Sequence, residues 1–282
     1  MKIKNRQLLL TLPLTLLVVV TSSLLGQGNS QQVAGTNNTE RDVDSYLQKS
    51  EPNIYKYLQN LLNQALQDAE KPQNDKVTAN LWSLSINNPR VKSRTIKGVR
   101  EYRMVTWMNL DGRWEGLWQS QTGKKYVLPA KVWWLTAVPQ VQEFCQNCKG
   151  TGLKIPGNIM LNLRVQQYLG LRIEPKKSHF VEMWVKEKDL VRPCIDREIN
   201  DSACRVLPGR IPSENVELIN IKKGTVGYPW TGLGYTYDWG NPQKPHVGAS
   251  EFVAIATPQK QVEVEVISVT PTKEYCQNQY LK

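Results

Sequence analysis

The sequence predicts an α+β domain with a largely antiparallel sheet, an N-terminal helix and a few short helices. Three observations point there. One long segment near the start carries apolar residues at helical spacing, while most later apolar runs are short, rich in Val and Trp, and bounded by Gly, Pro and Asp. No strand–helix–strand alternation recurs, so a parallel sheet is not indicated. The last strand, Val262 to Val266, alternates valine with Glu263 and Glu265, the pattern of a sheet with one wet face.

In chain order, Lys2, Lys4 and Arg6 precede an apolar run from Leu8 to Val20 and then Thr21, Ser22 and Ser23. This is the pattern of a secretory signal peptide over residues 1–28. Residues 29–49 are polar and read as a flexible spacer, leaving 50–282 as one exported domain with no membrane span after cleavage. The predicted helix starts with Ser50 as N-cap and Pro52 in its first turn. It carries Tyr55, Leu58, Leu61, Leu62, Ala65 and Leu66, and stops near Ala69.

Strands are expected at 81–86, 102–110, 113–118 and 131–137, with Asp111-Gly112 as a two-residue hairpin turn between the second and third. Short helices are expected near Val141–Phe144 and over Ile159–Leu169, the latter closed by Gly170. Further strands follow at 180–185, 216–221 and 252–256.

The stretch from Val226 to Phe252 interrupts this regularity. Tyr228, Trp230, Tyr235, Tyr237 and Trp239 stand among glycines and prolines, which predicts an ordered aromatic loop. Such loops on a rigid scaffold commonly carry binding and catalysis. Nine tryptophans against three phenylalanines fit a protein whose rings serve binding surfaces as well as core. The five aromatics, with Asn241 and Lys244, are therefore the candidate ligand-binding residues.

Charge and chemistry narrow the function. The formal net charge is +11, and loss of the three leader cations brings it to +8. A basic exported chain favours a glycan or an anionic cell-envelope polymer over nucleic acid, for which no long Lys/Arg cluster is present. With only two histidines, a histidine-rich metal site is excluded and no metal or cofactor is expected. His246 lies inside the aromatic loop and is the better catalytic candidate; His179, beside Lys176 and Lys177, reads as a surface residue. Asp238 and Glu251 frame the loop and could serve as the acid pair of a glycoside hydrolase.

The five cysteines are Cys145, Cys148, Cys194, Cys204 and Cys276. Thiols outside the cytoplasm oxidise, so Cys194 with Cys204 is expected as a disulfide staple, with Cys145 and Cys148 also oxidised, locally or to another partner. Cys145 to Gly152 resembles the CxxCxGxG zinc-binding repeat of the J-domain chaperones, which implies a four-thiolate site if Cys194 and Cys204 join it. Ser250 to Ile255 resembles the end of ADP-ribosyltransferase domains, which implies that Glu251 contacts ribose; Ala249 stands where that family has Gln or Glu. The half of the chain from Phe180 through the aromatic loop is similar to uncharacterised secreted cyanobacterial proteins, which implies export alone.

The leading expectation is an exported, periplasmic or secreted binding protein that presents an aromatic, basic face to a glycan or anionic envelope ligand. The alternatives are a secreted polysaccharide hydrolase and a structural envelope protein whose loop aromatics are core.

Overall fold

The computed structural model describes residues 42–70, 73–148, 152–173, 177–205, 221 and 225–277. The expected leader and most of the expected spacer lie outside this set, as does the strand expected over 216–221 except for Ile221.

The fold is α+β, as the patterning predicts. A helix precedes the expected one, because α1 (Val43–Ser50) occupies the end of the stretch read as spacer. Asp42 caps it, accepting from the Ser45 N–H at 3.1 Å and the Ser45 hydroxyl at 2.7 Å. Ser50 is thus the last residue of α1, and α2 (Pro52–Ala69) follows after Glu51 alone. Buried Val43, Leu47, Leu58 and Leu62 pack these helices together, which is what orders a segment otherwise polar in composition.

The main sheet is antiparallel throughout. Its strands are β1 (Ser93–Ile96), β2 (Val99–Met108), β3 (Lys125–Val127), β4 (Val132–Ala137), β5 (His179–Lys186), β6 (Leu190–Val191), β9 (Phe252–Ile255) and β10 (Glu263–Pro271). They run in the order β3-β10-β5-β2-β4-β9-β6, with β1 on β2. A second sheet is a ribbon of β7 (Tyr235–Tyr237) and β8 (Val247–Ser250). Along β2, Tyr102 and Met104 enter the core on one face of the sheet, while Val105 and Trp107 enter the core on the other. Helices α4 (Gln140–Asn147), α5 (Gly157–Tyr168) and α6 (Thr272–Gln277) supply residues to that second core.

The expected strand over 113–118 is a helix, α3 (Arg113–Ser120). Asp111-Gly112 does not close a hairpin. The Asp111 carbonyl instead accepts from the Trp114 N–H at 3.0 Å, opening the helix. Trp114, Leu117 and Trp118 stand at i, i+3 and i+4, a helical spacing, and Trp118 packs against Trp133 and Tyr126. The two-residue hairpin lies upstream, at Lys97-Gly98 between β1 and β2. There both residues have positive φ, 50° and 79°, as a type I′ turn requires.

Residues 81–86 are extended without joining a ladder. Leu81 and Leu84 donate to the Ser202 and Ile199 carbonyls, and Trp82 to Ser250 Oγ. Leu81, Trp82 and Leu84 are buried there without forming a strand. His179 is buried at 3% exposure because it opens β5 between β2 and β10, contrary to its expected place on the surface. The glutamates of β10 face solvent and pair with cations, Glu263 with Lys125 and Lys186, and Glu265 with Arg94.

Two disulfides are present: Cys194–Cys204, as expected, and Cys145–Cys276. The second corrects the expectation for Cys148, which is a free thiol. Cys145 points from α4 into the core shared with α6, where Cys276 meets it, whereas Cys148 lies past the helix end at Asn147. With three of the four thiols in disulfides, the four-thiolate zinc arrangement does not form. Two disulfides fit a compartment that oxidises thiols. Among the described residues, no helix is long and apolar enough to cross a membrane.

Candidate functional site

Two strands of the main sheet and the aromatic loop enclose a cavity of about 420 Å³. That volume falls within the usual range for small-molecule sites, about 300–1,000 Å³. Its walls come from Trp107 on β2, Trp134 on β4, and Tyr228 and Trp230 from the loop. Alternation on β4 explains the placement: Trp133 turns into the main core, and Trp134 turns the other way, beside Trp230.

Polar groups occupy defined places in this apolar setting. Glu251 is the single residue between β8 and β9, held by its own N–H on the Gly234 carbonyl at 2.9 Å. Burial pushes its carboxyl up to about 8, while the nearby Trp230 indole N–H acts in the opposite direction. The indole does not reach hydrogen-bond geometry, and Glu251 Oε2 and Trp230 Nε1 are both left without a partner. Thr136 Oγ1, also lining the cavity, is buried and unpartnered too. Among the described lining residues Glu251 is the sole carboxylate.

Two cations complete the lining, Lys131 and Lys177. Lys131 is exposed, with its Nζ 3.9 Å from the centre of the Trp133 ring. Its proton affinity is lowered by partial burial and then by the charge of Lys177. Lys177 also donates to the Trp107 carbonyl at 3.4 Å.

The other expected site residues divide among different places. Tyr228, Trp230, Tyr237 and Glu251 line this cavity. Tyr237 also borders a second one, of about 450 Å³, with Trp239, Asn241, Lys244, His246 and residues of α2. His246 stacks on Tyr237 at 4.9 Å between ring centres and donates from Nδ1 to the Asn241 carbonyl at 2.6 Å. Tyr235 is core, with its hydroxyl donating to the Lys76 carbonyl at 2.8 Å. Trp239 is buried as well, its indole donating to the Leu171 carbonyl at 2.8 Å.

Asp238 is not in the cavity lining, so the structure does not gather it with Glu251 as an acid pair. Arg164 takes both of its carboxylate oxygens, and the Gly240 N–H adds a third bond. No family model, curated protein or solved structure matches this chain.

Sequence reasoning missed Trp107, Trp134, Thr136, Lys131 and Lys177. The signal for Trp134 was the Trp-Trp pair on one strand, because alternation sends only one ring of such a pair into a shared core. The rest lie on regular strands or beside them and carry no local mark.

Proposed function

We propose that this chain is an exported binding protein and that the aromatic cavity holds its ligand, a glycan or anionic unit of the cell envelope. The observation that carries the reading is the cavity itself, walled by Trp107, Trp134, Tyr228 and Trp230 over buried polar groups that have no partner among the described residues. Apolar walls with a few placed polar groups are the usual make-up of a small-molecule site. The basic balance of the chain and its two disulfides support action on an anionic surface outside the cytoplasm. The hydrolase reading is weaker, because the described lining residues offer no second acid and Asp238 is held by Arg164.

Co-sedimentation with purified cell-wall polysaccharide at low and high salt tests the proposal. Binding should persist in high salt, since screening weakens charge attraction and leaves ring stacking largely intact. Trp134→Ala and Trp230→Ala should each weaken it while the protein stays folded. Unchanged binding in both variants would overturn the assignment to this cavity.

A further inference from the structure

The cavity lining carries two chemically different sets of polar groups. The buried set is Glu251, Thr136 and the Trp230 indole nitrogen, and among the described residues Glu251 Oε2, Thr136 Oγ1 and Trp230 Nε1 have no hydrogen-bond partner. Glu251 and Thr136 are each more than nine-tenths buried, at 8% and 7% exposure. Buried polar atoms are nearly always satisfied in native proteins, so three orphans around one cavity mark a place for a ligand's own polar groups. More exposed in the lining are Lys131 and half-buried Lys177, two cations close enough that the charge of one acts on the other. The aromatic rings share the lining with both sets of groups.

We infer that the cavity takes an acidic sugar unit, with ring hydroxyls on Glu251, Thr136 and Trp230, carbon faces against Trp107 and Trp134, and its carboxylate between Lys131 and Lys177. The inference rests on the reading of this cavity as the binding site and narrows the ligand class. Other classes fit less well. A purely apolar ligand leaves the buried polar groups orphaned. A bare anion satisfies the lysines and ignores the rings. An organic cation meets two like charges in the lining, and Glu251 is held in its neutral form by burial. A free sugar acid and the acidic end of a polymer chain present the same chemistry.

Intrinsic tryptophan fluorescence and calorimetry on the full mature protein provide the test, with glucuronate, glucose, inorganic phosphate and a short oligoglucuronate as probes. Glucuronate should bind more tightly than glucose by roughly five- to tenfold, the share of two partly exposed lysines. Phosphate alone should leave the fluorescence unchanged. Lys131→Met should remove most of the preference for glucuronate over glucose. Thr136→Val, which keeps shape and loses the hydroxyl, should weaken both sugars alike. Tighter binding of the oligomer than of glucuronate marks a chain end as the source, and equal binding a free sugar acid; either supports the proposal. Equal affinity for glucose and glucuronate overturns it and leaves the cavity as a sugar site. Absence of binding by every sugar, together with no co-sedimentation, overturns the binding-protein reading as well.

Discussion

Arg164 on α5 grips Asp238 through both carboxylate oxygens, each at 2.7 Å, and both side chains are largely buried. The bond ties the helix to the loop just beyond β7 and uses up the carboxylate that the sequence offers most prominently for catalysis. Asp238→Asn should therefore act on stability. The expected cost is about 3–5 kcal/mol, as for any buried ion pair that loses one partner. Urea unfolding measures it, and sugar binding by the folded fraction should change little.

Glu251 predicts a pH dependence of stability. Its folded-state value, about 8, lies above the ordinary 4.5, so the native state holds this proton more tightly than the unfolded chain does. The associated stability is complete below about 4.5 and is lost as pH rises through about 8. Glu251→Gln keeps the shape without the ionisation. Its stability relative to the native protein should rise across this window by on the order of a few kcal/mol, which chemical denaturation at a series of pH values would show. A constant difference between the two proteins would contradict the burial argument.

The two disulfides should contribute unequally. Cys145–Cys276 spans 131 residues of sequence and Cys194–Cys204 spans 10. Chain-entropy reasoning gives about 4–5 kcal/mol for the long loop and about 2–3 kcal/mol for the short one. Paired Cys→Ala variants compared by denaturant midpoint test this order. Peptide mapping should link Cys145 to Cys276 and find Cys148 alone alkylated.

Arg192 is buried completely and donates to the carbonyls of Trp82, Glu198, Ile199 and Asp201, with its guanidinium over the Phe252 ring. It thereby holds the irregular segment that carries Cys194–Cys204 against residues 81–84. Arg192→Met keeps apolar contact with Phe252 but strands those carbonyls, so a loss of about 3 kcal/mol is expected. Arg192→Lys should recover only part, because one ammonium cannot reproduce the planar fork. Thermal unfolding of the two variants checks the order.

Much of the fold was legible because one local pattern decided each element. The valine–glutamate alternation of β10 and the helical spacing of α2 both reappear as elements with the expected wet and buried faces. Where two patterns competed, sequence reasoning failed. Asp111-Gly112 carries a strong hairpin mark, but packing of Trp118 on Trp133 and Tyr126 favoured a helix, and the hairpin formed at Lys97-Gly98 instead. Asp42 to Ser50 looks polar, and its order comes from burying Val43 and Leu47 against α2 and α5. The site was half legible. The loop contributes Glu251, Trp230 and Tyr228, but Trp107 and Thr136 come from strands far away in sequence and Lys131 from the residue before β4, and their meeting depends on the strand order. Cys145 met Cys276 for the same reason, through the approach of α4 and α6.

Glu251 occupies the one position at which the chain leaves the ribbon of β7 and β8 and enters the main sheet as β9. Its carboxyl sits at the joint between two hydrogen-bonded units. A guest bound to it, and at the same time to Thr136 on β4, would act as a cross-brace across that joint. Occupancy should then slow amide exchange along the ribbon and along β9 together, so that the ligand leaves a mechanical signature well outside its own contacts.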